Sequence, residues 1–283
     1  MMHGVDCMVH SEYPMCFTAD LTGVAALQDE DSTLSPRWDV YMQDLHTLEK
    51  RVPQLRGALP ASACKVLTPL KVASWADAPK DYPDRELAEY LLRGIDQGFH
   101  IGFDYSRYCC KKAKSNMMSA VRNAKAVEDY LQTEVKLGQV VGPFPLDSLP
   151  AQVSRFGVIP KGHQTGRWRL ILDLSHPEGR SVNDGIGPEL CSLSYSSVDE
   201  AVRLIREKGT GAQLAKLDLE SAYRMTPVHP DDRLLLGMEW KGQLFVDTAL
   251  PFGLHSAPKV FTAVADALMW IFRKYGGVQG FTI

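Results

Sequence analysis

Apolar positions along the chain change period several times, and each change marks an element. Pro83-Asp84-Arg85-Glu86 leads into Leu87, Tyr90, Leu91 and Ile95, spaced as one face of a helix that ends near Gly94 and Gly98. Met118, Val121, Val127, Leu131 and Val135 continue a helical stripe over Ser115 to Leu137, and Gly138 follows where a left-handed cap is cheap. Gly142-Pro143-Phe144-Pro145 is expected to break the chain. From Val153 to Pro160 the pattern turns strand-like. A polar turn from Lys161 to Gly166 and a second run from Arg167 to Leu174 make a hairpin. Ser197-Val198-Asp199-Glu200 reads as a capping box opening a helix whose stripe is Val198, Val202 and Ile205. A short apolar strand is expected over Gln213 to Leu219. A hairpin follows, from Leu234 to Ala249 around Lys241-Gly242. Ser256 and Pro258 start a last helix striped by Phe261, Val264, Leu268 and Ile271.

Strands mixed with helices without strict alternation predict an α+β chain. Residues 1–66 look loosely organised, with an acidic run at Gln28 to Ser32 and helical character between Leu34 and Leu59 interrupted by Pro53. Residues 67–150 read as a helical region, and residues 151–283 as a region of hairpins and helices.

Composition narrows the class. The chain has 283 residues, 45% apolar and 23% charged, which excludes a mostly disordered chain, a collagen or a coiled-coil rod. No run approaches 18 apolar residues, so no membrane span is expected, and Asp6, His10 and Glu12 interrupt the start where a secretory signal would be apolar. Six cysteines form no Cys-x-x-Cys pair, so reduced thiols and an intracellular setting are expected, with nucleus and cytoplasm both open. His3, Cys7, His10 and Cys16 fit no standard zinc spacing. Net charge is −3, but residues 100–180 carry 12 basic and 7 acidic side chains, against 9 and 15 in residues 1–99. A basic middle can meet phosphate; ordinary variation in surface charge also accounts for it.

Three segments carry candidate chemistry. Asp218 ends an apolar strand, where a carboxylate either caps the following turn or helps hold a divalent metal. Lys161 and Arg169 flank the hairpin turn, with Arg155 and Arg167 near; they suit phosphate oxygens or simply guard an exposed edge. Leu250-Pro251-Phe252-Gly253-Leu254 is a kinked turn before a helix, able to approach a ligand or merely to connect.

Taken in order, Ser154-Arg155-Phe156-Gly157-Val158-Ile159-Pro160-Lys161, then Arg167-Trp168-Arg169-Leu170-Ile171-Leu172-Asp173-Leu174, then Ala215 to Tyr223, then Leu250 to Leu254 with Ser256-Ala257-Pro258 and Phe261, resemble the successive motifs of retroelement reverse transcriptases. Gly179 to Ile186, and Ala222-Tyr223-Arg224-Met225 through Val228-His229-Pro230, resemble more narrowly the DIRS-type tyrosine-recombinase retrotransposons.

The resemblance covers about residues 67–275 and implies the fingers of a right-hand polymerase over 153–200 and part of its palm over 213–275. It implies that Asp218 and the Leu219 carbonyl bind metal, with two Mg²⁺ ions in the complete family. Lys161 and Arg169 would hold the triphosphate of an incoming dNTP, and the backbone N–H groups of Ser221 and Ala222 would support it. Tyr223 would gate the sugar against a 2′-hydroxyl, and Phe252 and Gly253 would line the nucleotide and template side. Trp168 and Asp173 are expected to be structural. The partners implied are an RNA template and a DNA primer.

The family follows its last helix here with a Tyr-x-Asp-Asp hairpin, whereas this sequence has no Asp or Glu after Asp266. The expectation is therefore a fragment of an RNA-directed DNA polymerase, truncated before that motif and inactive as these residues alone. The alternative is a non-catalytic nucleic-acid-binding remnant.

Overall fold

The computed structural model describes residues 57–72, 75, 82–110, 112–113, 115–161, 168–193, 197–212 and 219–276. Expectations for the first 56 residues, the turn at 162–167, the strand before Leu219 and Asp218 itself lie outside them.

The chain mixes helices and sheets as expected. Helix α1 is Arg85–Gln97, capped by the Asp84 carboxylate, which accepts from the Leu87 N–H at 2.9 Å. The stripe expected to form one helix from 115 to 137 is two. Helix α2, Met118–Arg122, and helix α3, Ala124–Leu137, meet at Asn123, whose φ of −119° and ψ of 45° break the helical path. The break shifts the phase, so Met118 and Val121 face solvent while Val127 and Leu131 are buried. Gly138 closes α3 in the left-handed conformation, as expected.

Strand β1, Val140–Pro145, occupies the segment expected to break the chain. It lies at the edge of a four-stranded sheet, where proline removes no needed ladder donor, and its register to the strand Gln243–Asp247 slips between Val141 and Phe144. The run Val153 to Pro160 is divided between two sheets. Strand β2, Val153–Ser154, pairs in parallel with β5, Gly237–Trp240. Strand β3, Phe156–Pro160, pairs antiparallel with β4, Trp168–Leu172, in the expected hairpin. Arg155 is the crossing point: its carbonyl accepts from the Asp173 N–H at 2.8 Å, and its Nε lies 2.7 Å from Asp173 Oδ2. Asp173 is thus structural, and it engages one of the basic groups that the sequence offered to phosphate.

Asn116 joins the two sheets, with its Oδ1 accepting from Phe156 N–H at 3.1 Å and its Nδ2 donating to the Glu239 carbonyl at 2.8 Å. Strand β5 returns as β6, Gln243–Asp247, through Lys241 and Gly242, both at positive φ (51° and 78°) as a tight hairpin turn requires.

Helix α4, Val198–Lys208, forms where the capping box predicts, but its stripe is not buried: Val198 is 70% and Ile205 38% exposed. No described element is packed over that face closely enough to cover it. Helix α5, Ala257–Gly276, buries a face one step from the expected one. Ala257, Val260, Ala263, Val264 and Ala267 are inside, small enough to let α5 seat against the core that also takes in Leu87 and Ile95 of α1 and Leu172 of β4. Phe261, Leu268 and Ile271 lie at its margin. No helix among the described residues is long and apolar enough to cross a membrane. Among the described residues, Cys64, Cys109, Cys110 and Cys191 form no disulfide.

One charged group holds helix and sheet together. Arg224 is buried; its Nη2 donates to Glu134 of α3 at 2.7 Å and to the Gln139 carbonyl at 3.0 Å, and its Nη1 forms an ion pair with Asp247 of β6 at 2.8 Å. Two carboxylates face one guanidinium. Burial, opposed only in part by Arg224, pushes Asp247 up to about 6. A carboxyl with a raised folded pKa binds its proton more tightly in the folded state. Its contribution is therefore present below the unfolded value near 4 and is lost as pH rises through about 6. Urea unfolding of wild type and Asp247→Asn should show wild type losing about 2–3 kcal/mol relative to the variant between pH 4 and pH 7.

Candidate nucleotide-facing site

Three segments far apart in sequence meet beside the β3–β4 hairpin. Arg169 points out from β4 opposite Ile159, and its guanidinium carbon lies 4.7 Å from the centre of the Phe252 ring. Phe252 packs against Tyr223 with ring centres 5.3 Å apart, and Tyr223 meets Phe261 of α5 edge-on at 5.6 Å. The result is a partly exposed aromatic ledge with a cation over its outer ring. An aromatic face can take a base or a sugar, and a guanidinium can take phosphate.

Each component is fixed by local chemistry. Tyr223 sits in a 3₁₀ turn, Ala222–Met225, that follows Ser221 in the left-handed region at φ 55°. A left-handed residue followed by a right-handed one turns successive N–H groups to one side, an arrangement suited to anions. Arg224, next to Tyr223, is the buried guanidinium described above, so the ring's backbone is anchored from inside. Phe252 and Gly253 form the turn between β6 and α5. Gly253 has φ 103°, and a Cβ there would stand 2.3 Å from the Leu172 carbonyl oxygen at the end of β4. Only glycine permits this approach, which carries Phe252 to Arg169.

The turn is also tied to the segment after β4. Asn183 donates from Nδ2 to the Gly253 carbonyl at 2.8 Å and to Ser175 Oγ at 2.9 Å, while its Oδ1 accepts from His255 N–H at 3.0 Å. Sequence reasoning quoted Asn183 within a motif and gave it no role. Its partner lies 70 residues away, and nothing local signals that contact. Arg224 was missed in the same way, since an arginine beside a tyrosine gives no sign of burial.

Among the expected site residues, Arg169, Tyr223 and Phe252 are in contact, with Gly253 beneath them. Ser221 and Ala222 adjoin Tyr223. Lys161 directly follows β3, the strand that pairs with the one carrying Arg169. Trp168 is partly buried against the core, in keeping with a packing role. Leu219 opens the segment leading to Tyr223. Among the described residues no group of three or more His, Cys, Asp or Glu could hold a metal ion, so those residues by themselves do not make a metal centre.

The chain matches no protein-family model. It is 30% identical over 112 residues, 39% of its length, to the Pro-Pol polyprotein of simian foamy virus type 1. The corresponding polyprotein of simian foamy virus type 3 (strain LK3) matches to the same extent. The chain covers 9% of the length of each polyprotein. Among solved structures it is similar to the protease–reverse transcriptase of prototype foamy virus, with a TM-score of 0.41 and 22% identity over 62% of this chain and 21% of that one. It is also similar to a foamy viral protease–reverse transcriptase in complex with double-stranded DNA, with a TM-score of 0.43 and 18% identity over 75% of this chain and 37% of that one. TM-scores in this range leave the architecture to be read from the chain's own elements.

The close approach at Gly253 gives a direct test. Gly253→Ala should destabilise the protein by about 3 kcal/mol in urea unfolding, through a disfavoured backbone and a clash with a carbonyl. Gly179→Ala is the control: Gly179 is also at positive φ (76°), but a Cβ there meets nothing within 4 Å. Equal losses at the two positions would contradict the steric account.

Proposed function

We propose that this chain is a reverse-transcriptase-like polymerase segment, the part of an RNA-directed DNA polymerase that closes on an incoming dNTP above a primer–template. The observation that carries the reading is the convergence of Arg169, Tyr223 and Phe252 from three motifs that the sequence presents separately. The 30% identity to foamy virus Pro-Pol polyproteins supports it. In this reading residues 153–200, with β3 and β4, belong to the fingers, and residues 213–275, with β5, β6 and α5, to the palm. Arg169 and Lys161 neutralise the triphosphate. Tyr223 stands where a 2′-hydroxyl would collide with its ring, so deoxynucleotides are favoured. Phe252 and Gly253 support the base, and the N–H groups after Ser221 face phosphate.

The reading places Asp218 and the Leu219 carbonyl at a Mg²⁺ site. Such ions would supply Lewis-acid stabilisation of the transferring phosphoryl group. The narrower assignment to DIRS-type elements rests on Gly179 to Ile186 and on Ala222 to Pro230.

Binding is tested by fluorescence anisotropy of a labelled RNA template–DNA primer, with and without the next complementary dNTP and Mg²⁺. The dNTP should tighten the complex, and Arg169→Gln should weaken that dNTP effect about fivefold to tenfold. The matching ribonucleotide should tighten it less than the dNTP in wild type and equally in Tyr223→Ala. Any primer extension should be abolished by Asp218→Ala, and extension that survives that substitution would count against the metal-site assignment. Failure of any dNTP to tighten the complex would count against the polymerase reading itself.

A further inference from the structure

Asn183 is buried at 4% exposure, and its side-chain amide is engaged at both ends. Its own N–H donates to the Leu174 carbonyl at 2.9 Å, just beyond β4. Its side chain reaches across to the Phe252 turn, holding the Gly253 carbonyl and the His255 N–H on either side of Leu254. The residue thus spans the two segments whose separation sets the Arg169–Phe252 stack. Arg169 rides on β4 and Phe252 rides on the turn, and Asn183 bonds to the continuation of the first and to the backbone of the second.

The contacts around it divide cleanly. Gly253 allows the turn to approach β4, but a steric allowance alone does not hold two segments at one distance. The buried Asn183 bonds supply the hold, and an amide fits where a carboxylate would not, since the site needs one donor toward Gly253 and one acceptor toward His255. Ser175 Oγ adds a third contact on the side away from the turn.

We propose that Asn183 is the positioning residue of this site, fixing the Phe252 ring beneath Arg169 and thereby setting how tightly the ledge takes a deoxynucleoside triphosphate. The ligand half of the proposal rests on the polymerase reading given above; the positioning half does not.

The test places 4-fluorophenylalanine at position 252 alone and follows its fluorine resonance in the full chain. Arg169→Gln should shift the resonance by removing the stacked cation. Asn183→Asp keeps the size and the acceptor toward His255 but loses the donor toward Gly253, and it should shift the resonance with Arg169 still present. Ser175→Ala should leave it in place. An Asn183→Asp resonance that superimposes on wild type overturns the proposal.

Wild type alone supplies a second reading in case the Asn183 variants fail to fold. The His255 amide, on an exposed residue, should exchange with solvent about a hundredfold or more slowly than an unbonded amide, because it donates to Asn183. A freely exchanging His255 amide overturns the proposal. Titration with dATP, Mg²⁺ and a primer–template whose next base is T should move the wild-type resonance saturably, with about tenfold weaker affinity in Asn183→Asp. If dATP moves nothing while Asn183→Asp still shifts the resonance, the polymerase reading fails and the positioning role stands.

Discussion

A buried guanidinium governs where the site residues stand. Arg224 meets Glu134 and Asp247 inside the protein, and its remaining donors go to main-chain carbonyls. Removing Arg224 would leave the Glu134 and Asp247 carboxylates buried without their cation, at a cost of about 3–5 kcal/mol. The arrangement therefore admits little displacement. It joins α3 to β6, and since Tyr223 is the preceding residue, its backbone is anchored by the same ion cluster. The strength of this tie explains how a short 3₁₀ turn entered through a left-handed serine can present an aromatic ring reproducibly.

The second half of the site combines the half-buried Arg155–Asp173 ion pair with neutral contacts at close range. Arg155 lets one continuous run leave the larger sheet and enter the β3–β4 hairpin, and Asn116 ties the two sheets together at the crossing. At the far end of β4, Gly253 and Asn183 bring the Phe252 turn up to the hairpin. Neither set of contacts is sufficient alone. The ion cluster locates Tyr223, the neutral contacts locate Phe252 and Arg169, and the rings meet because both halves share the core formed by α1, α5 and β4.

Much of this was legible from local chemistry. Asp84, Gly138 and Lys241-Gly242 each announce an end or a turn through their own conformational preferences, and each is found doing so. Sequence and structure part where distant contacts decide. Pro143 and Pro145 read as a break, yet an edge position tolerates them, and edge position is a property of the sheet. The division of Val153 to Pro160 has no local mark, because alternation is the same on both sides of Arg155. One residue, Asn123, divides an otherwise continuous stripe and turns Met118 and Val121 outward. Of the site, Arg169, Tyr223 and Phe252 were visible as members of ordered motifs. Asn183 and Arg224 were not, because their importance lies in partners 70 and 90 residues away.

The central claim is that the Arg169–Phe252–Tyr223 ledge is where a nucleotide rests. Photochemical cross-linking of 5-iodo-dUTP to the full chain on a primer–template, followed by peptide mapping, tests it most directly. The account predicts that the adduct falls on Tyr223 or Phe252 and is lost to competing unmodified dTTP. Adducts confined to peptides that include neither residue would contradict it.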